Sequence, residues 1–223
     1  MKRVLALTSI LLLACASAGA VTITQAPGSA LNDNQTATDV IAVNAGHGFV
    51  ATDTVTAVFI EVTLIHTWIG DLAITLTSPD GNELQIMARP GIAHADETFG
   101  APFGNNSNFI AANPITFRDG SAASAETIGN GLQNSDDVAS AAYFADAGGW
   151  VTDHTSFADF NGESVIGDWT LRVGDYANGD TGTFISWSLT IVPEPATGLL
   201  LALGLIGLAV VGRPRRFGRH GLL

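Results

Sequence analysis

The residue types best suited to chemistry are carboxylates and amides in one short turn near the end of the chain. Residues 175–180 read Asp-Tyr-Ala-Asn-Gly-Asp, so that Asp175 and Asp180 enclose an asparagine and a glycine. Calcium takes six to eight oxygen ligands, and turns of this composition supply carboxylate, amide and backbone oxygens without rigid geometry. The spacing is not that of an EF-hand, and an ordinary polar hairpin turn is an equally good interpretation. Ca²⁺ is therefore the one cofactor that the sequence suggests.

Asp71 and Asp168 are the next candidates, because each stands directly after a glycine and before an apolar, alternating segment. Gly70 and Gly167 would turn the chain sharply into a strand, and the aspartates would accept hydrogen bonds from turn amides that otherwise lack partners. This structural role is the favoured interpretation. Metal ligation is the alternative, and it makes Asp71 and Asp168 further candidate calcium ligands.

Nucleophilic catalysis and zinc binding find no support in the arrangement of the histidines. No Gly-x-Ser-x-Gly elbow positions a serine, and no two histidines stand at metal-ligand spacing on one element. His66 is best interpreted as a packed, hydrogen-bonded residue at the end of a strand. The sequence therefore predicts no catalytic residues and a protein that is not an enzyme. The histidines considered are His47, His66, His94 and His154.

Charge is concentrated in the central part of the chain. Residues 21–192 hold 20 of the 21 acidic residues but three of the nine basic ones, so this stretch has a formal charge of −17. Such a body repels nucleic acid and anionic lipid, which argues against nucleic-acid binding as a function. It also attracts divalent cations, although a solvated, soluble surface is the simpler interpretation.

The N-terminus has the order of a secretory signal peptide. Two basic residues precede an apolar run over 4–14, and small residues follow it. The run is too short to span a bilayer comfortably, and Ala18 and Ala20 form an A-x-A cleavage site. We predict a signal peptide over 1–20 and a linker over 21–29.

Cys15, the single cysteine of the chain, allows one alternative. Residues 12–15 read Leu-Leu-Ala-Cys and loosely resemble a bacterial lipobox, with Cys15 as the lipid attachment site. If cleavage follows Ala20 instead, the cysteine leaves with the signal and the mature protein has no disulfide. Its stability would then come from packing or from bound ions.

The C-terminus has the order of a second targeting signal. Pro193, Glu194 and Pro195 are followed by an uncharged, mostly apolar stretch over 196–212 and then by several arginines. As a helix this stretch reaches about 25 Å, just enough to cross a bilayer, and the arginines would hold the C-terminus in the cytoplasm. We therefore predict a transmembrane helix at 196–212.

This order resembles the PEP-CTERM sorting signal, with Pro193, Glu194 and Pro195 as the motif and 193–223 as the full signal. The resemblance implies a Gram-negative exporter in which an exosortase cleaves near the motif. The protein would be anchored in the membrane transiently and then passed to the cell surface or the extracellular matrix. A plain C-terminal membrane anchor is the alternative.

Strand patterns dominate between the two signals. Leu72, Ile74 and Leu76 alternate with smaller or polar residues, and a Pro-Asp-Gly turn at 79–81 predicts that 83–87 pairs back as a hairpin. Short strands separated by Gly, Asn and Asp turns, without a long amphipathic helix, predict an all-β sandwich or barrel with antiparallel pairing. The same alternation recurs at 55–65 and 169–173, and on the last strand it would bury Ile185, Trp187, Leu189 and Ile191.

Two long motifs resemble the P domain of proprotein convertases, also called P/Homo B. The first covers 66–81, and the second covers 160–173 together with 180–189. The resemblance extends over 30–192 and implies a jelly-roll β-sandwich of eight strands in two packed antiparallel sheets. In that family, P domains follow a subtilisin-like catalytic domain that they help to stabilise, and we expect no such domain in this chain.

The sorting signal and the P-domain resemblance together predict an exported, non-catalytic surface or biofilm-matrix protein with an interaction module. Its expected partners are an exosortase-type processing enzyme and extracellular polysaccharide or surface proteins. One alternative is a carbohydrate- or protein-binding module that stacks its ligand on Trp68, Trp150 or Tyr176. The other is an accessory domain for a separately encoded subtilisin-like serine protease.

Overall fold

The computed structural model describes residues 19–92, 104–146 and 153–194. Within these ranges the chain forms strands and short 3-10 turns, and no α-helix. The strands are β1 (Val21–Gln25), β2 (Ser29–Leu31), β3 (Thr36–Val43), β4 (Val55–His66), β5 (Leu72–Thr77), β6 (Glu83–Ala88), β7 (Ile115–Phe117), β8 (Ala123–Ser124), β9 (Ala142–Phe144), β10 (Gly167–Asp175) and β11 (Gly182–Pro193). The 3-10 turns cover Ala45–His47, Ile69–Asp71, Ala125–Thr127 and Phe157–Phe160.

The strands form two sheets that share one hydrophobic core. The larger sheet has the order β1-β11-β4-β7-β9-β8, with β2 also paired to β11, and the smaller has the order β3-β10-β5-β6. Trp169 and Trp187 are the largest side chains of the core. Their indole groups donate to the Val165 carbonyl at 3.1 Å and to Asp39 Oδ2 at 2.8 Å, so neither N–H is buried without a partner. The prediction of an all-β fold in two sheets is confirmed.

The hairpin of β5 and β6 lies where the sequence predicts it, with Leu76 opposite Leu84. Leu72, Ile74 and Leu76 are fully buried, as their alternation indicates. The residues between them, Ala73 and Thr75, are buried as well, at 4% and 3% exposure. β5 is therefore covered on both faces, which an alternating sequence does not reveal.

The last strand departs from the expected alternation at one point. Three of the four apolar residues expected inside are buried, but Ile185 is half-buried. A register shift between Phe184 and Ser186 places one extra residue in β11 relative to β4. Such a bulge reverses the inward and outward order of the side chains, so Phe184 occupies the buried position instead.

Two expectations about the sheets are corrected. β7 and β8 both pair with β9 in parallel, whereas the other described strand pairs are antiparallel. Residues 21–29, expected to be a linker, contain β1, which pairs with β11 from Val21 opposite Ile191 onward. Val21 and Ile23 pack against the core, but two apolar residues among threonines are too weak a pattern to mark a strand. The described sheets thus extend beyond the predicted range of 30–192 at both ends.

Several predictions fall on residues outside the described ranges, namely most of the signal peptide and the proposed membrane helix at 196–212. Within the described ranges, no helix has the length and apolar character needed to cross a membrane. Residues Gly19–Glu194 form one compact unit.

We expect a protein shortened to 21–194 to unfold cooperatively with an all-β circular dichroism spectrum, and one shortened to 30–194 to be less stable. Loss of β1 removes its hydrogen bonds to β11 and the apolar contacts of Val21 and Ile23, worth about 2–3 kcal/mol. For a domain of this size this lowers Tm by about 5–10 °C. Thermal melts of the two proteins measure the difference, and equal melting temperatures would show that β1 contributes nothing.

Candidate functional site

Asp71, Asp175 and Asp180, which we call the acidic cluster, lie at one end of the sandwich. Asp71 ends the 3-10 turn before β5, and Asp175 is the last residue of β10. β5 and β10 are antiparallel neighbours with Asp175 opposite Leu72, and the Tyr176 amide donates to the Asp71 carbonyl at 2.8 Å. The start of one strand and the end of the other therefore bring the first two aspartates together.

Asp175 forms a buried pair with His66. His66 Nε2 and Asp175 Oδ2 are 3.3 Å apart, and both side chains are fully buried. The other carboxylate oxygen of Asp175 accepts from the Ala177 amide at 3.1 Å, and His66 Nδ1 lies 2.9 Å from the Trp68 carbonyl oxygen. Because the imidazole is sealed from solvent, it has no access to a substrate. The interpretation of His66 as a packed, hydrogen-bonded residue is confirmed.

Asp180 lies in the turn between β10 and β11. Its Oδ1 accepts a hydrogen bond of 2.6 Å from Thr67 Oγ1, which ties the turn to the residue that follows β4. The same turn also contacts the turn between β2 and β3, where Asn34 Nδ2 donates to Asn178 Oδ1 at 2.6 Å. Contacts with two other segments therefore hold Asp180 at the same end of the sandwich as Asp71 and Asp175.

The Asp71 carboxylate is buried without its full complement of hydrogen bonds. Its side chain is 3% exposed, its Oδ1 accepts no hydrogen bond, and Arg89 Nη2 approaches this oxygen only to 3.8 Å. Burial raises the pKa of Asp71 to about 6, with a further increase from Asp175, while His66 and Arg89 act in the opposite direction. Oδ1 therefore takes no part in the hydrogen bonding to turn amides that we expect of this carboxylate. The fold holds a charge that is poorly compensated, which a bound cation would relieve.

Asp168 is separated from the acidic cluster. It is the second residue of β10, whereas Asp175 is the last, and seven residues of extended strand span about 23 Å. Asp168 lies opposite Ala42 and is exposed. The repeated Gly-Asp sequence thus occurs at opposite ends of the sandwich, so Asp168 is too far away to share one ion with the acidic cluster.

Gly70 and Gly182 allow the backbone to pack closely around the acidic cluster. A Cβ atom on Gly70 would overlap the backbone of Gly104, and one on Gly182 would overlap the carbonyl oxygen of Ile65. Gly182 is directly opposite His66 in the pairing of β11 with β4. A side chain at either glycine would displace the segments that carry the buried carboxylates.

The donor types of the acidic cluster suit a hard cation such as Ca²⁺, which prefers carboxylate, amide and carbonyl oxygens. Asp71 Oδ1 is a buried oxygen that accepts no hydrogen bond, with the Arg89 guanidinium 3.8 Å away. Across the described part of the chain, no three His, Cys, Asp or Glu side chains converge as a complete metal site.

Asp33, in the turn between β2 and β3, is a residue of this end that the sequence does not single out. Its Oδ1 is buried and accepts no hydrogen bond. The next residue, Asn34, adopts a left-handed φ of 60° and bonds to Asn178 of the turn that carries Asp180. The run Asn-Asp-Asn at 32–34 resembles the later turn in composition. Only the tertiary structure shows that the two turns are neighbours.

A partly buried polar group joins the segment 153–165 to the β5–β6 hairpin. His154 Nε2 lies 2.7 Å from Glu163 Oε1, and Asn82 Nδ2 donates to the same oxygen at 2.8 Å. The His154 ring also packs edge-on against Phe160, with ring centroids 4.6 Å apart. These contacts give His154 a structural role.

Two residues of the sorting motif belong to the sheet. Pro193 is the last residue of β11, is buried and lies opposite Val55 of β4. The Glu194 amide donates to the Thr54 carbonyl at 2.9 Å, while the Glu194 side chain is exposed. The expectation that the domain ends at 192 is therefore corrected, because the motif begins inside the fold.

The remaining predicted residues are dispersed. Ala20, of the signal-cleavage pair, is exposed directly before β1. Trp68 and Tyr176 are half-buried, and Trp68 Nε1 donates to the Gly104 carbonyl at 3.2 Å. The residues that lie outside the described ranges are Ala18, Trp150 and Pro195.

Two family models match the sequence. The proprotein convertase P-domain model matches residues 55–108 and 139–191, and the PEP-CTERM protein-sorting motif matches residues 192–216. No curated protein matches the chain.

Two solved structures are similar to this chain, and both contain a serine protease of Aeromonas sobria. One is the crystal structure of the protease, and the other is its complex with the chaperone. Each is 21% identical with a TM-score of 0.40, and each match covers 78% of this chain and 27% of the protease chain. The chain therefore spans about a quarter of the length of these proteases.

The two motifs that carry the resemblance, at 66–81 and 160–189, fall largely within the two segments that the P-domain model matches. Of the predicted sorting signal at 193–223, residues 193–216 fall within the match to the sorting motif. The chain belongs to the proprotein convertase P-domain family over 55–108 and 139–191 and carries a PEP-CTERM protein-sorting motif at 192–216.

Proposed function

We propose that this protein is an exported, non-catalytic P domain of jelly-roll topology that acts as an interaction module at the cell surface or in the extracellular biofilm matrix. The observation that carries the proposal is the continuity of the two matches, because the P-domain match ends at 191 and the sorting motif begins at 192. The motif supports export and membrane-associated sorting by an exosortase in a Gram-negative bacterium. The P domain is the non-catalytic domain of proprotein convertases.

The environment of the histidines supports a binding role over catalysis. His66 is sealed inside the sandwich with Asp175, and His154 is bonded to Glu163. A general base must come within hydrogen-bond reach of the proton that it removes. In the described part of the chain, His66 is fully buried, and His154 Nε2 is engaged by Glu163 Oε1.

Calcium is the ion that we propose binds at the acidic cluster. Asp71, Asp175 and Asp180 would supply carboxylate oxygens, and backbone carbonyls of the same turn would complete the ligand set. The ion would compensate the buried charge of Asp71. The formal charge of −17 over residues 21–192 would favour the approach of a divalent cation from a distance.

An accessory role for a separately encoded subtilisin-like serine protease is the second candidate. Membership of the proprotein convertase P-domain family favours it, because P domains of that family work beside such a protease. Stacking of a carbohydrate on Trp68 or Tyr176 has less support, because both side chains are half-buried. Extracellular polysaccharide and surface proteins remain the proposed partners of the exported form.

The proposed export predicts that the mature protein lacks both ends of the printed sequence. Mass spectrometry of the protein from the surface and extracellular fractions should give an N-terminus near Val21 and a C-terminus close to Pro193–Pro195. In a strain without its exosortase, the protein should stay in the membrane fraction with its C-terminus intact. Recovery of the chain through Leu223 from the extracellular fraction would contradict the sorting proposal.

The proposed calcium site predicts a calcium-specific gain in stability. An ion that binds only the folded state at a hundredfold excess over its Kd adds about 2.7 kcal/mol, which raises Tm by about 5–10 °C. Thermal melts in about 10 mM Ca²⁺, a hundredfold excess over a Kd of about 0.1 mM at the tight end of extracellular calcium modules, should show this rise, and an equal concentration of Mg²⁺ should not. Equal shifts with the two ions would indicate charge screening only.

Asp71→Asn and Asp168→Asn form a matched pair that locates the site. Both remove one carboxylate from a Gly-Asp sequence before a strand, but only Asp71 belongs to the acidic cluster. Asp71→Asn should fold without calcium, because a neutral amide is cheaper to bury, and should lose the calcium-specific shift. Asp168→Asn should keep the shift. A shift that survives Asp71→Asn would place the ion elsewhere.

A further inference from the structure

The start of β4 is held on both of its edges, and the sorting motif is bonded to one of them. Val55 lies opposite Pro193 on one side and exchanges backbone hydrogen bonds of 2.8 and 2.9 Å with 162–164 on the other. The Thr54 carbonyl accepts from the Glu194 amide, and Thr54 also pairs with 162–164. The strand that receives the motif is therefore a fixed part of the sheet.

Packing reinforces this attachment. Pro193 is buried, and Val55 opposite it is 1% exposed. A register shift between Val192 and Pro193 accommodates the proline, which has no amide hydrogen to give to a regular ladder. The next residue, Glu194, resumes the backbone hydrogen bonding to Thr54. The end of β11 is thus attached to β4 by the burial of Pro193 and by the hydrogen bond from the Glu194 amide.

Attachment to a sheet conflicts with recognition by a protease. Peptides bound in an extended form use their own backbone groups to pair with the partner. Pro193 is buried, and the Glu194 amide is already bonded within the domain. Folded segments are cut in proportion to the fraction of molecules in which they open locally.

The chain beyond the sheet offers little room for a separate recognition strand. One residue, Pro195, stands between Glu194 and the predicted membrane helix at 196–212. Two residue steps of extended chain reach about 7 Å. An enzyme that must hold several residues around the motif therefore needs residues that the sheet is holding.

We propose that the end of β11 is a latch, and that the sorting motif is processed only after Pro193 and Glu194 detach from Val55 and Thr54. This inference rests on the proposed processing by an exosortase. The latch makes the rate of sorting depend on the stability of one strand end. It also keeps the motif bonded to the domain until the processing enzyme captures an open form.

A short Gly-Ser spacer between Val192 and Pro193 tests the latch without changing the motif. In cells that contain the exosortase, the full-length spacer variant should convert from precursor to mature form about tenfold faster than the natural protein, as followed by pulse-chase labelling. The same spacer between Asn130 and Gly131, two exposed residues of a distant turn, is the matched control. It should leave the rate unchanged.

An introduced cysteine pair tests whether holding the end of β11 on β4 slows processing. Val192 and Ala57 face each other in the β11–β4 register, so Val192→Cys with Ala57→Cys should form a disulfide that holds the strand end closed. Processing of this variant should slow at least about tenfold, and a reducing agent should restore it. The single substitution Ala57→Cys controls for the effect of the side chain.

The two assays separate failure of the latch from failure of the sorting proposal. If the natural protein is processed but the spacer and the disulfide leave its rate unchanged, the latch is overturned. If the natural protein is not processed at all, the sorting proposal fails, and hydrogen exchange of the purified full chain decides the latch. Protection of the Glu194 amide that the spacer abolishes would support it, and exchange as fast as in an exposed peptide would overturn it.

Discussion

The pairing of β4 with β11 is the constraint on which both ends of the domain depend. It runs from His66 opposite Gly182 at one end to Val55 opposite Pro193 at the other. The first end carries the buried His66–Asp175 pair, and the second carries the sorting motif. β11 also receives β1 and β2 on its other edge. A change in register here would therefore move the acidic cluster, the N-terminal strands and the motif together.

At the end that carries the acidic cluster, close backbone contact allows only one register of β11 against β4. Gly182 has no room for a Cβ atom against the Ile65 carbonyl. The bulge at Phe184 then sends one aromatic side chain into the core and leaves Ile185 half-buried. These two local features fix which residues of β11 face inward along the rest of the strand.

Burial explains why the acidic cluster is the chemically unusual part of the molecule. Asp80, Asp119 and Asp136 are exposed in turns, where water solvates them at little cost. Asp71 is instead enclosed between the ends of β5 and β10, and its pKa rises to about 6 because desolvation outweighs the compensation from His66 and Arg89. A fold that keeps such a carboxylate ionised at neutral pH gains from a cation. The opposite end of the sandwich carries the start of the sorting motif, where Pro193 pairs with β4 and Glu194 bonds to Thr54.

The sequence by itself determined the all-β class, the P-domain family and the sorting motif, because alternation of apolar residues and long local motifs are properties of neighbouring residues. It also identified Asp71, Asp175 and Asp180 as candidates, since turn composition reveals oxygen donors. Tertiary structure alone separated Asp168 from them, because the two ends of a strand look alike locally but lie far apart. It alone placed Asp33 beside the later turn and Pro193 inside the sheet, since pairing between distant segments depends on packing that no local pattern encodes.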